Sequence, residues 1–382
     1  QSLCLKAKPD HATEIRRIFA NDPNPNFAVI DAVGGGGGWP TLQALLKVES
    51  ARDILFALLA PNEERQDALN AQGNWISEAK ALFNSSLNLN LITRMSSWSA
   101  IAEELWRFLL FSEFIFDVPG EIPQALSNVP RARAEARHLI YDLCDRLRND
   151  LRTQTIYIDH AERIESELQL PETCQEIHDF GIRDTFPFEE RVSFQQAVDA
   201  LKDDDVDQLR QVLKRHERSV WIGRGENQAQ WTLVNSAASL VQACSDSERQ
   251  LSTHTGSLEK LVDFYTSTLR EVDRCQREFE GAQGDILDSS AAVESVKKQA
   301  RQAYRKIVDV VQGVFIRHVE KSGWPLEGRL ANVNVFGQMI APALQESGRR
   351  VAVLLIDAMR YELGVELAKQ LSNENQVDIQ AV

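Results

Sequence analysis

The chain is expected to be mostly α-helical with α/β ends. Three stretches carry that expectation. Near the N-terminus, Phe27–Val33 (FAVIDAV) reads as a buried strand that runs into five glycines, Gly34–Gly38. Further on, Val293, Val296, Ala300, Ala303, Ile307, Val310 and Val314 recur at alternating spacings of three and four, the seam of a packed helix pair. Near the C-terminus, Val351–Ile356 (VAVLLI) is a continuous apolar run with the character of a strand buried on both faces of a parallel sheet.

In chain order, a helix around His11–Ala20 stops at the breaker cluster Asn-Asp-Pro-Asn-Pro-Asn. After the glycines and Trp39-Pro40, two short helices are predicted at Leu42–Leu46 and Ile54–Leu59. Residues 1–62 therefore read as a small α/β domain. Residues 63–330 read as a helical domain. Within it, Trp98–Phe116 is apolar enough for a buried helix, and Asp203-Asp204-Asp205 opens another by complementing its dipole. Leu258, Leu261, Tyr265, Leu269 and Val272 form a second seam, and Gly281–Asp285 supplies a reversal. Residues 256–320 are thus expected to form a long antiparallel hairpin. Residues 331–382 begin with a short apolar helix at Val335–Leu344. Then come the Val351–Ile356 strand, a helix with Leu363, Leu367 and Leu371 on one face, and a second strand at Val377–Val382. One β-α-β unit does not make a sheet, so the sequence is expected to stop inside a domain.

A length of 382 residues suits about two or three domains. The net charge of −14 argues against gripping nucleic acid over the whole surface, although a local basic groove is compatible with it. The arginine-rich stretch 131–152 is interleaved with Glu135, Asp142, Asp145 and Asp150, and reads as a salt-bridged helix surface. Cys4, Cys144, Cys174, Cys244 and Cys275 are scattered, as expected of reduced thiols in a cytoplasmic protein. No window suits a membrane span, and no secretory signal opens the chain, whose first residue, Gln1, suggests a missing or processed start. The seven histidines form no paired ligand spacing, and Cys174 with His178 lacks a second pair for zinc. The Gly34–Gly38 loop lacks a following Gly-Lys-Ser/Thr. A strand-to-helix connection is favoured there, with nucleotide binding as the alternative.

Asp357 follows the VAVLLI run directly. Ligands gather at the carboxyl ends of strands in open α/β sheets, and a carboxylate on such a rigid mount suits a metal; it equally suits the cap of the next helix. The run Asp357-Ala358-Met359-Arg360-Tyr361-Glu362, with the string VAVLLIDAMRYELGVELAKQL around it, resembles the opening motif of the PglZ domain of BREX phage-defence systems, a branch of the alkaline phosphatase superfamily. More loosely, Trp39-Pro40, the helical middle and Trp324-Pro325 resemble the region preceding that domain.

The resemblance implies a metal-dependent phosphohydrolase or phosphodiesterase as full-length parent, with a divalent metal, Zn or Mn. Asp357 would be one metal ligand. Arg360 would pair with phosphate oxygens, or alternatively with Glu362 or a neighbouring loop. Tyr361 and Glu362 would be packing or supporting residues. The nucleophile and other ligands would lie after Val382, so this stretch is expected to be inactive, to bind no metal, and to serve in protein–protein docking and scaffolding. Implied partners are other BREX proteins. Nucleic acid is a partner for the parent rather than for this stretch alone, and no membrane is involved. The alternative is a non-catalytic scaffold subunit of the defence complex.

Overall fold

A computed structural model of the chain describes residues 2–7, 12–21, 23–25, 30, 39–94, 96–217, 219–287, 290–348, 350–357 and 359–372. The Gly34–Gly38 loop, the second C-terminal strand and, apart from Ile30, the Phe27–Val33 strand lie outside the described residues. What is described is mostly helical and contains no strand. The α/β character expected at both ends, and the β-α-β unit, are therefore corrected. Val351–Ile356 is non-helical and unpaired, with Leu355 94% exposed. Six apolar residues state a preference for a sheet, but a strand exists only through ladder partners, and none of the described residues supplies one.

The chain divides into two compact units, Gln1–Val192 with Arg218–Trp221, and Ser193–Glu217 with Ile222–Val382. In the first unit, helices at Pro40–Leu46 and Ala51–Leu59 coincide with the two expected there. The second starts at Ser50, whose hydroxyl accepts from the Asp53 amide, and ends where indole N–H groups of Trp98 and Trp106 donate to the carbonyls of Leu58 and Leu59. Those are carbonyls that a helix C-terminus leaves without intrahelical partners. The central helix α1 (Trp98–Asp117) is capped by Ser97 and is buried on most sides. Its Phe114 ring meets those of Phe180, Phe186 and Phe188 at 6.1, 5.6 and 5.8 Å. Helices α2 (Arg137–Asn149) and α3 (Gln154–Leu168) pack against it.

The arginine stretch of α2 is salt-bridged as expected, but it is not all surface. Arg146 pairs with Asp53 at 2.7 Å over the Phe56 ring, and Asp142 pairs with Arg52. Arg148 instead points inward to Glu113, a carboxylate buried in the middle of α1.

His160 on α3 stacks on Trp106 with ring centroids 4.5 Å apart, and its Nδ1 lies 2.6 Å from an Arg163 nitrogen. Burial, with the Arg163 charge beside it, lowers its pKa from 6.5 to about 4. Because the folded chain resists protonating this ring, its contribution is complete above pH 6.5 and is lost as the pH falls toward 4. At ~1.4 kcal/mol per unit, the loss reaches up to about 3 kcal/mol. Urea melts of wild type and His160→Gln between those pH values should converge as the pH falls; parallel curves would refute the assignment.

In the second unit, α4 (Gly225–His254), α5 (Arg270–Gly284) and α6 (Ala291–Ser322) are long helices. A helix at Val206–His216 begins at Asp205, whose carboxylate accepts from the Gln208 amide. The expected hairpin is modified: α5 and α6 both pack mainly on α4, as two sides of a three-helix arrangement, and α5 stays helical to Gly284, through most of the expected Gly281–Asp285 reversal. Of the expected α6 seam, Val293, Val296, Ala300, Ile307 and Val314 are buried, whereas Val310 is 49% exposed. A π-turn at Tyr265–Leu269 interrupts the run from Leu258 into α5. Helix α7 (Tyr361–Ser372) packs on α5.

Candidate functional site

Helix α5 sets the site because two of its side chains, Asp273 and Arg277, are four residues apart and share a face. The Arg277 guanidinium donates from Nε and an Nη to the two carboxylate oxygens of Glu362, at 3.0 and 3.2 Å. Glu362 is only 4% exposed, and its hydrogen bonds to Arg277 raise the guanidinium's pKa above its ordinary value. One turn earlier, Asp273 accepts from the Tyr265 hydroxyl at 2.7 Å and from the Tyr304 hydroxyl at 3.1 Å. Burial, then the Asp273 charge, pushes the Tyr304 phenol up to about 12, and Tyr265 moves in the same direction. The charge of Arg360 acts the opposite way on both phenols.

The motif residues thus part into two groups. Tyr361 opens α7 with its ring 6.2 Å from that of Tyr265, and Glu362 is locked to Arg277. Asp357 and Arg360 are exposed. The expected alternative of an Arg360–Glu362 pair does not form; the Glu362 partner comes from α5, 85 residues away. Beside Tyr361 lies a cleft of about 510 Å³, lined also by Val262, Thr266, Trp324, Arg329 and Asn332.

Among the described residues, no group of three or more His, Cys, Asp or Glu side chains could hold a metal ion. Asp357 with its described neighbours does not make a metal centre, and no chemical step follows from one here. Two of the histidines are engaged elsewhere: His254 stacks on Phe264 at 4.3 Å and His318 lies 2.8 Å from the Thr255 carbonyl. Burial pushes the Cys174 and Cys244 thiols up to about 12, which makes them poor nucleophiles. No helix of the described residues is long and apolar enough to cross a membrane.

Sequence reasoning missed Asp273, Arg277, Tyr265 and Tyr304 as parts of this site. The one available signal was a tyrosine at a seam position, because a half-buried phenol needs an acceptor.

Residues 335–381 match the family model of the BREX system PglZ alkaline phosphatase-like domain. The segment is PglZ-like. No curated protein and no solved structure matches the chain. The matched PglZ segment contains Asp357, Arg360, Tyr361 and Glu362. Its helix α7 is the element that Arg277 holds.

Proposed function

We propose that the chain is a helical docking platform for a PglZ alkaline phosphatase-like domain in a BREX defence assembly. In this reading the platform binds other BREX proteins and positions the PglZ segment. In the full-length parent, Asp357 would contribute one carboxylate to a divalent metal, Zn or Mn, that would serve cleavage of a phosphoester or phosphodiester. Arg360, exposed beside it, pairs with the substrate phosphate. The observation that carries the proposal is the Arg277–Glu362 fork, because it ties helix α7 of the PglZ segment to α5.

Arg277→Ala leaves a carboxylate buried without its cation, and amide hydrogen exchange in Tyr361–Ser372 should quicken by about tenfold or more. Arg277→Lys should restore part of the protection, because a point charge replaces the fork. Unchanged exchange in Arg277→Ala would remove the platform role. In the full-length protein, Zn²⁺- or Mn²⁺-dependent hydrolysis of a nitrophenyl phosphodiester should be lost in Asp357→Ala. Retained hydrolysis would sink the ligand role, and no turnover in wild type would favour a non-catalytic scaffold.

A further inference from the structure

A cavity of about 180 Å³ lies where the π-turn Tyr265–Leu269 and α5 meet α6. Both ends of the π-turn line it, together with Asp273 of α5 and Tyr304 and Gln312 of α6, and aliphatic side chains form the rest of the wall. Drug-sized ligands occupy sites of about 300–1,000 Å³, so this space suits a group no larger than one side chain. Among the described residues that line it, Asp273 is the one that carries a charge. Each of its carboxylate oxygens accepts from one phenol, Oδ2 from Tyr265 and Oδ1 from Tyr304. These neutral donors orient the carboxylate without cancelling its charge. No lysine, arginine or histidine among the described residues forms an ion pair with Asp273, and Arg277, one turn further along α5, is taken by Glu362. Asp273 is nevertheless half-buried.

An oriented carboxylate without a counter-cation, in a cavity walled by two phenol rings, selects its ligand by charge. Asp273 repels an anion, and an apolar group would strip water from the carboxylate without replacing its hydrogen bonds. A cation gains a charge-assisted hydrogen bond and the attraction of aromatic rings. An ammonium has three donors and no acceptor, and it meets acceptors in the Asp273 oxygens and in the amide carbonyl of Gln312 at the exposed rim. A guanidinium fits less well, because its planar fork needs both carboxylate oxygens and each already receives a phenol. We propose that this cavity takes a primary alkylammonium group, with its charge on Asp273 and its methylenes along the aliphatic wall. The group belongs either to a lysine side chain of a partner protein or to a free small amine. This site is separate from the platform reading and uses neither Asp357 nor a metal.

The test is ligand-observed NMR titration of the full chain with n-butylammonium, at about 150 mM salt so that the attraction of distant surface charge is screened. Saturable binding is expected, weakened about tenfold or more in Asp273→Asn, which keeps an acceptor oxygen for the phenols but loses the charge. Asp309→Asn, at an exposed position on α6, should leave the affinity unchanged. Tyr304→Phe should bind better than Tyr304→Ala, because a ring remains on the wall. The neutral isostere 1-pentanol should bind wild type at least tenfold more weakly, a comparison that needs no variant to fold. Equal binding of the alcohol and the ammonium would overturn the proposal, as would absence of saturable binding or equal weakening in Asp273→Asn and Asp309→Asn. Binding of lysine blocked at its α-amine and carboxyl would support it with a partner's side chain as the source. Binding of butylammonium without the blocked lysine would support it with a free amine.

Discussion

Glu113→Ala is expected to lower the unfolding free energy by about 3–5 kcal/mol, measured by urea denaturation. Glu113 is fully buried in α1 and gathers four donors. Arg148 lies at 2.5 Å and Arg183 at 3.1 Å, while the hydroxyls of Thr185 and Tyr157 donate at 3.2 and 3.5 Å. Burial works against the Arg148 charge, yet Glu113 beside it holds the guanidinium's pKa above its ordinary value. Removing the carboxylate leaves that buried cation with the Arg183 carbonyl and with Asp145 at 3.6 Å. A compensated pair such as Glu113→Leu with Arg148→Met should cost much less, because no lone charge then remains inside. Equal losses in the single and double variants would show that packing, rather than charge, sets the cost. Glu121→Ala, at an exposed position, should stay within about 0.5 kcal/mol of wild type.

Ile307→Asp should destabilise by about 3 kcal/mol or more, whereas Val310→Asp should cost under about 1 kcal/mol. Both residues belong to one apolar repeat on α6, but Ile307 is 4% exposed and Val310 is 49% exposed. At 3.6 residues per turn, Val310 points roughly 60° away from the mean direction of the five buried seam residues. Thermal melts of the two variants measure this directly. A Val310→Asp variant as unstable as Ile307→Asp would mean that α6 is rotated from the arrangement described.

Local signals in the sequence were sufficient wherever the physics is local. The Asp205 cap, the apolar run of Trp98–Phe116 and the short helices before residue 60 each carry their own information within a few residues. The Val351–Ile356 strand was misread because strand pairing is a property of two segments, and its partners are not among the described residues. Val310 was misread because an alternating spacing of three and four drifts around a helix over several turns. Within the site, the motif itself could be read, and it coincides with the matched PglZ segment. The Arg277 partner of Glu362 could not, since nothing local marks a pair separated by 85 residues. Glu113 left a fainter trace, one acid within Leu-Leu-Phe-Ser-Glu-Phe-Ile-Phe. A lone carboxylate in so apolar a helix has to find a buried cation.

The unpaired Val351–Ile356 run also bears on how the chain behaves at high concentration. Six apolar residues without proline or charge, solvent-facing at Leu354 and Leu355, are the kind of segment that stacks between molecules into cross-β ribbons. Arg350 before it and Asp357 after it act as gatekeepers, since stacking identical chains in register would place like charges one above another at both ends. Asp357, read above as a ligand, therefore also helps keep neighbouring copies apart.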